Sequence, residues 1–478
     1  MIRDARESLP SELEAEVCIV GAGPAGIVLA LELAEHGREV VIIEGGGLDG
    51  PGEGQSLYAG ESTGRKYPLA GSRLRWLGGT SNHWGGWVKP LDPLDFVDKP
   101  HYPMPTWPFG LDALAPWYSR AAHWCELESD VFDVEAAGFS GRPGLFPADR
   151  LSGFADRLFR FSPPTRFGTR YREALVEAQS IDCRMNLNAV SLVQQGDHVR
   201  AVEARTLNGA RTRIRASHFV LATGGIENAR FLLNQDAVPG NGSGLVGACF
   251  MDHYGFSPGH LLAPSGLGYE RGAIEGEDVM LVMTPSRELV FDENLRNSCI
   301  LVASASDDTT LPPQYLDSPL FRPRGEGAGY RVGMINEPLP YRESRVSLAD
   351  TTDALGLRRA SLNWHLPESE FQPVLALFRR WMSEISASGL GRIKWDEKRP
   401  RALDEHVGIG YHHMGTTRMS ASAEYGVVDR DSRCWDRDNL YMAGSSVFPM
   451  VGYSNPTLTI VALAARLAEH LDRRLGAG

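Results

Sequence analysis

The sequence lacks a cysteine pair. Its six cysteines (Cys18, Cys125, Cys183, Cys249, Cys299 and Cys434) are scattered without C-x-x-C spacing, which excludes a zinc ribbon or a dense disulfide framework and fits a reducing compartment. It also lacks positive charge: 60 Asp and Glu against 48 Lys and Arg give a formal charge of −12. Nothing therefore draws it to phosphate backbones or anionic lipid, and nucleic acid is not an expected partner. Long apolar runs are missing too. Val17 to Leu31 carry no charge, but glycines and a proline interrupt them, and they fall short of the roughly 18 residues a spanning helix needs. Met1 to Ser8 show neither the apolar stretch nor the small-residue cleavage site of a secretory signal. A soluble, cytoplasmic protein without a membrane span is expected. Repeats, low-complexity tracts and charged tails are absent.

Glycine is abundant, at 52 of 478 residues against a usual share of about 7%, and part of that excess should mark backbone lying close to a ligand. At roughly 150 residues per domain the length suggests two to four domains, or one large core with insertions. Glu16-Val-Cys-Ile-Val20 is a short β-branched run. It ends in Gly21-Ala-Gly-Pro-Ala-Gly26, after which Ile27, Leu29, Ala30, Leu33 and Ala34 repeat at helical spacing up to Gly37, where glycine stops the helix. Glu39-Val-Val-Ile-Ile43 and Glu44 complete a strand, helix, strand unit that predicts a parallel crossover. From Gly45 to Gly110 the sequence is rich in Gly, Pro and Trp with little periodicity, as expected of a packed functional loop. Alternating patterns at Val190, Val199 and Arg211, then the apolar run His218 to Thr223, predict an antiparallel meander feeding a return strand. Further strands are expected at Cys299 to Ser304 and Ser344 to Leu348, and an amphipathic helix at Phe371 to Leu390.

In Gly21-x-Gly23-x-x-Gly26 the first glycine allows a tight turn, the second lets backbone approach a pyrophosphate, and the third lets helix pack on strand. The helix start offers free N–H groups and a positive dipole end to phosphates. Glu44, 18 residues after Gly26, stands where an acid accepts hydrogen bonds from ribose hydroxyls. FAD and NAD share this unit. The segment Phe219-Val-Leu-Ala-Thr-Gly-Gly225 resembles the Ala-Thr-Gly strand of many flavoproteins, which favours FAD.

With Leu77-Gly-Gly-Thr-Ser-Asn-His-Trp-Gly-Gly86, Ile226-Glu-Asn-Ala-Arg230, Tyr411-His-His-Met-Gly-Thr416, Gly444-Ser-Ser and Tyr453-Ser-Asn-Pro-Thr-Leu-Thr459, the chain resembles the glucose-methanol-choline (GMC) oxidoreductases over nearly its whole length. Gly247-Ala-Cys-Phe-Met-Asp-His253 and Ser344 to Leu348 also look like family segments. The resemblance implies an α/β fold: a Rossmann-like FAD-binding domain with an inserted antiparallel-sheet substrate domain, the p-hydroxybenzoate hydroxylase-like architecture. Residues 1–95, 171–265 and 405–478 would build the FAD domain, and 96–170 and 266–404 the substrate domain and cover. The cofactor would be held by Gly21, Gly23, Gly26, Glu44, Gly79, Thr80, Asn82, His83, Val190, Thr223, Gly224, Pro456 and Thr457. The likeness is greatest to the pyranose 2-oxidase and glycoside 3-oxidase branch. There a Ser-Thr-His-Trp segment carries a flavin-linked histidine, and Ser81-Asn-His-Trp84 stands in its place. His83 is thus either an attachment point or a hydrogen-bonded histidine of the flavin pocket.

Alcohol oxidation by a flavin needs a base for the hydroxyl proton while the carbon-bound hydrogen leaves as hydride, and imidazole serves near neutral pH. Matching the family's motif, His412 is the base and Asn455 its partner, orienting the substrate oxygen. His413 is expected to pack or to support, because successive side chains of an extended segment point to opposite faces. A zinc reading of the pair lacks further Cys or His ligands nearby, so no metal is expected. Pro456 suits a helix start; in relatives this helix end faces the flavin pyrimidine ring, where its dipole would stabilise negative charge. Trp107, Trp117 and Trp124 are expected in packing, and Trp84 and Trp87 beside the active site. Arg73 and Arg75 would either neutralise the pyrophosphate or form exposed ion pairs.

The expected reaction is oxidation of a secondary ring hydroxyl of a pyranose or glycoside to a ketone at C2 or C3, with O₂ taking the electrons to give H₂O₂. The alternative acceptor is a quinone or protein carrier, as in a dehydrogenase subunit. A lyase that keeps FAD only structurally is the minor alternative. The chain is short beside larger family members, which argues against a tetramerisation arm and leaves the oligomeric state open.

Overall fold

The apolar run Glu12–Val20 forms strand β1, and the glycine turn after it opens helix α1, Pro24–Glu35. The helix stops at Gly37, whose φ of +73° is the left-handed conformation that glycine adopts without strain. Val40–Glu44 follows as β2, buried at every position and parallel to β1, with Val17 opposite Val40 and Val20 opposite Ile43. The computed structural model describes residues 1–477 apart from 143, 264–265, 275, 305–328 and 396–406.

The meander Asn188–Gln195, His198–Arg205 and β3, Arg211–Leu221, is antiparallel where the alternating patterns predict it. β3 then runs parallel to β1, bringing Leu221 opposite Val20. The glycines after it open helix α2, Gly224–Leu233. The first sheet has the order Ile2–Asp4, Ile181–Met185, β2, β1, β3, His198–Arg205, Asn188–Gln195. The second sheet is antiparallel. It runs from Arg392–Trp395 through β4, Tyr254–Leu262, then Gly329–Asn336, Ser298–Ser304, Glu277–Pro285 and Phe154–Phe161 to Trp87–Val88. Helix α3, Phe371–Ala387, turns Phe371, Val374, Leu375, Phe378, Trp381 and Ile385 inward at helical spacing. The Trp381 indole N–H points at Met283 Sδ (3.4 Å) of this sheet. A small third sheet has Arg358–Asn363 at its centre, antiparallel to Arg345–Thr352 and parallel to Glu61–Ser62.

The return to the first sheet is β5, Leu440–Met442, parallel to the end of β3. The last helix, α4, Thr457–Gly476, buries Leu458, Val461, Leu463, Leu467 and Leu471. No helix among the described residues is long and apolar enough to cross a membrane, and all six cysteines are free and buried.

The structure departs from the expected partition at several places. β4 lies within the segment assigned to the dinucleotide domain but pairs with Gly329–Asn336, and Trp87–Val88 borders Phe154–Phe161. Glu61–Ser62 joins Arg358–Asn363. Conversely, Ala115–Trp124, assigned to the substrate domain, sits against the first sheet's helices: the Trp124 indole donates to Glu32 Oε1 (2.6 Å), and Tyr118 Oη lies 3.0 Å from Thr459 Oγ1. A strand pattern carries no mark of which sheet will complete its hydrogen bonds, so these crossings are set by tertiary pairing alone. The expected boundary at 404–405 lies outside the described residues.

Candidate active site

The three glycines of the fingerprint do three different things. A Cβ on Gly26 would meet the Gly21 carbonyl oxygen at 2.0 Å, so its bare Cα lets α1 lie against the turn. A Cβ on Gly23 would meet open space. Glu44 first serves the turn itself: its Oε2 accepts the Ala22 N–H (2.9 Å) and its Oε1 the Gly46 N–H (2.8 Å). Each oxygen keeps a further lone pair for a ribose hydroxyl.

Gly21, Gly23 and Glu44 border a cavity of about 620 Å³, within the range of cofactor sites. Of the residues expected to hold the cofactor, Gly21, Gly23, Glu44, Gly79, Thr80, His83, Thr223, Gly224, Pro456 and Thr457 line it, as do His412 and Asn455. Three do not. Gly26 is spent on packing. The Asn82 amide donates to the carbonyls of Leu77 and Gly79 (both 2.9 Å), fixing the 3₁₀ turn Gly79–Asn82 that carries Thr80. Val190 is skipped where the register shifts between Ala189 and Ser191, and Leu187, Asn188 and Ala189 form the wall in its stead. The residues present fit a dinucleotide. Besides Gly23, side chains on Gly224 and Gly444 would also project into open space, and α1 begins without a side-chain cap, leaving its N–H groups available.

Thr223 is tied through Asn228 Oδ1, which accepts from its N–H (2.9 Å) and its hydroxyl (2.6 Å), while Asn228 Nδ2 donates to the Ala443 carbonyl (3.1 Å). Arg73 forms no exposed pair. It is buried against Glu227 (2.6 Å), which also meets Arg230 (2.9 Å). Burial pushes the Glu227 carboxyl up, but Arg230 and Arg73 outweigh it and hold the group down at about 2. Arg75 lines the cavity, with Nη2 donating to Asn188 Oδ1 (2.8 Å). Trp84 and Trp87 line the cavity, whereas Trp107 and Trp124 are buried in the core.

At the other end stand His412 and Asn455, with His412 Nε2 3.4 Å from Asn455 Nδ2. Asn455 follows Ser454, whose hydroxyl donates to the Pro90 carbonyl (3.0 Å), and precedes Pro456 at the start of α4. His412 is held by groups that carried no expected role. Asp252 accepts the His412 N–H at Oδ1 (2.8 Å) and the Tyr411 N–H at Oδ2 (3.1 Å), and the Tyr67 hydroxyl donates to Oδ2 (2.5 Å). This clamp holds Tyr411 at φ +59°, in the left-handed region. The segment is therefore not an extended strand, and both His412 and His413 border the cavity, against the expectation that only one would. His413 packs on Phe250 and Tyr67, at ring centroid distances of 6.2 and 5.5 Å. His253 Nδ1 lies 2.8 Å from His412 Nδ1.

Burial sets the protonation of this cluster. It pushes the Asp252 carboxyl up to about 7 and the His253 imidazole down to about 4. Burial, with His253 and His413 nearby, holds His412 well below its ordinary value; burial, with Arg73 and His83, brings His413 to about 3. The imidazoles are thus neutral near pH 7, as a proton acceptor must be.

Comparisons with known proteins bear on the family and the fold. The FAD dependent oxidoreductase family profile matches residues 16–255, and the GMC oxidoreductase profile matches residues 340–464. The chain is 24% identical to 2-methyl-1,2-propanediol dehydrogenase of Mycolicibacterium austroafricanum, with 96% of each chain covered. It is 23% identical to the fructose dehydrogenase large subunit of Gluconobacter japonicus, covering 98% of this chain and 99% of that one. It is 33% identical to C-glycoside 3-oxidase of Microbacterium trichothecenolyticum, over only 31% of this chain and 28% of the other. Among solved structures, formate oxidase superposes with a TM-score of 0.63 at 16% identity, covering 98% of this chain and all of that one. A fingerprint strand, helix, strand unit opening on a dinucleotide-sized cavity, with the FAD dependent oxidoreductase profile over residues 16–255 and the GMC oxidoreductase profile over residues 340–464, makes the chain an FAD-dependent enzyme of the GMC oxidoreductase family.

Proposed function

We propose that the protein oxidises a secondary ring hydroxyl of a pyranose or glycoside to a ketone. The observation that carries this reading is the pairing of His412 Nε2 with Asn455 Nδ2, 3.4 Å apart on the wall of the cavity that the fingerprint begins. An alcohol oxygen in the cavity within reach of both nitrogens would give its proton to His412 Nε2 and accept a hydrogen bond from Asn455 Nδ2. Asn455 cannot exchange a proton near neutral pH, so it orients the oxygen and His412 is the base. FAD bound in the cavity supplies the acceptor for the hydride that leaves the same carbon. The names of two relatives, fructose dehydrogenase and C-glycoside 3-oxidase, support a sugar substrate. Gly21, Gly23, Glu44, Thr80, His83, Thr223, Gly224 and Thr457 are the residues proposed to contact the cofactor.

O₂ is the proposed electron acceptor, giving H₂O₂. A second reading, a dehydrogenase passing electrons to a quinone or protein carrier, is favoured by the names of two relatives matched over nearly their whole length, whereas a third matched as extensively is named paromamine 6'-oxidase. One experiment separates these readings: the anaerobic absorption spectrum of the holoenzyme with a panel of pyranoses, glycosides and simple alcohols, followed by air. Bleaching by one sugar class and recovery in air is the expected result. Bleaching without recovery supports the dehydrogenase, and bleaching by simple alcohols alone refutes the sugar assignment.

A further inference from the structure

Hydrogen bonding at His253 determines which nitrogen of His412 is free. His253 Nε2 lies 2.9 Å from the Gly452 carbonyl oxygen. A carbonyl only accepts, so this nitrogen carries hydrogen. A neutral imidazole has one N–H, which leaves His253 Nδ1 as a bare acceptor, and it faces His412 Nδ1 at 2.8 Å with the rings near perpendicular, at 87°. Two bare nitrogens at that distance would repel, so His412 carries its hydrogen on Nδ1. Its Nε2 then keeps the lone pair, on the side where Asn455 Nδ2 stands.

We propose that His253 is a positioning residue that locks His412 in the tautomer whose Nε2 can accept the substrate proton, with the Gly452 carbonyl setting the sense of the lock. The proposal rests on the reading of His412 as the base. The anchor requires glycine: Gly452 has φ +55°, and a Cβ there would lie 2.5 Å from both carboxylate oxygens of Asp95, so no side chain fits where this carbonyl is presented. His253 is 2% exposed, and its burial opposes a second proton on the ring. The other titratable groups facing this pair are Asp252 and Tyr67, joined to each other and to the backbone of Tyr411 and His412, and His413 next in the chain. None of them reaches either nitrogen of the lock. When His412 Nε2 takes the hydroxyl proton, the Nδ1–H bond to His253 becomes charge-assisted and strengthens. The proton stays on His412, and the tautomer is set by an imidazole, not by a carboxylate on the ring.

The test uses the holoenzyme labelled with nitrogen-15 histidine. Long-range proton–nitrogen spectra should assign His412 as protonated at Nδ1 and His253 as protonated at Nε2, a readout independent of turnover. His253→Leu removes the acceptor and should move the His412 hydrogen to Nε2 in part of the population. It should also slow flavin reduction by substrate at least tenfold, toward the loss of about 10⁴ that a wrong tautomer costs a serine protease, while flavin absorbance is retained. His253→Gln keeps an acceptor oxygen and should restore most of the rate. His253→Asp should raise the pH at which the rate falls on the acid side, because a carboxylate favours imidazolium. Wild-type His412 protonated at Nε2 would overturn the proposal whatever the kinetics. So would wild-type reduction by His253→Leu in a protein where His412→Ala abolishes it. Wild-type reduction by His412→Ala would instead refute the base assignment, and the spectra would still decide the lock.

Discussion

Gly23 and Gly26 belong to one motif, yet the same substitution should break them differently. In Gly26→Ala the methyl carbon meets the Gly21 carbonyl at 2.0 Å and its carbon at 3.1 Å. To reach an ordinary contact, α1 must move about 1 Å or more off the turn that carries the Ala22 N–H to Glu44. Ile27, Val28, Leu29 and Leu33 of that helix are fully buried, so the shift is resisted, and overpacking of this kind costs about 1–3 kcal/mol. The apoprotein should lose that much stability in urea unfolding. Whatever part of the strain the apoprotein escapes by relaxing must be met on binding, so its FAD dissociation constant should rise by at most about 5- to 150-fold. In Gly23→Ala the methyl meets nothing, and φ −79°, ψ −175° suit any residue. The apoprotein should stay as stable as wild type or gain up to about 1 kcal/mol, while FAD affinity falls because the methyl stands between the protein backbone and the pyrophosphate it must approach. Flavin fluorescence on titration of apoprotein reads the affinity. Equal apo stability of Gly26→Ala and wild type would refute the packing account. Wild-type FAD affinity in Gly23→Ala would refute the close approach.

Asp252→Asn replaces one acceptor oxygen with an NH₂ that must face either the Tyr411 or the His412 N–H, at an expected cost of about 1–3 kcal/mol for the unsatisfied donor; urea unfolding and a slower flavin reduction check it, and an unchanged rate would show that the clamp does not position His412. With its pKa held below the ordinary value, His412 should be free base at neutral pH, so stopped-flow flavin reduction should be flat from about pH 6.5 upward and fall only on the acid side; a rate still rising above pH 7 would contradict this. His253, at about 4 when folded, takes a proton more readily in the unfolded chain, so its contribution to stability is full above about pH 6.5 and is lost as pH falls toward 4; His253→Gln should flatten that acid loss in urea titrations. Because Asn82 stands where the pyranose oxidase segment has threonine, acid precipitation should leave flavin in the supernatant, and a yellow pellet that turns colourless in His83→Ala would establish attachment at His83.

Much of the first sheet was legible because its signals are local. A β-branched run, a glycine turn and a helical repeat occupy 29 consecutive positions, Glu16 to Glu44, and the turn chemistry of Gly21 and Gly37 needs no distant partner. Motif alone singled out His412 and Asn455, which the structure brings together on the cavity wall. His253 and Asp252 were not, although the segment containing them was noticed, because what gives them meaning is contact with His412, 159 and 160 positions away. Periodicity cannot report such contacts. Val190 sat in a correctly read strand, but a register shift beside it changes which residues face the cavity, and bulges leave little trace in a single sequence. Arg73 was weighed as an exposed ion pair because nothing local to it announces Glu227 and Arg230, which bury it.

The late arrival of β5 has a consequence for how the protein is made. The strand lies at residues 440–442 and pairs with Phe219, Val220 and Leu221 of β3, and the wall at Asn455 and Thr457 comes later still. At about 5–20 residues per second, a ribosome finishes the phosphate-binding turn many seconds before it supplies the far wall of the same cavity. Until then the apolar end of β3 has one open edge, a template for unwanted strand pairing. The cavity is complete only once the chain has been synthesised beyond residue 457, so FAD is expected to be held in it only after that point, and chaperone demand should peak in the interval between β3 and β5.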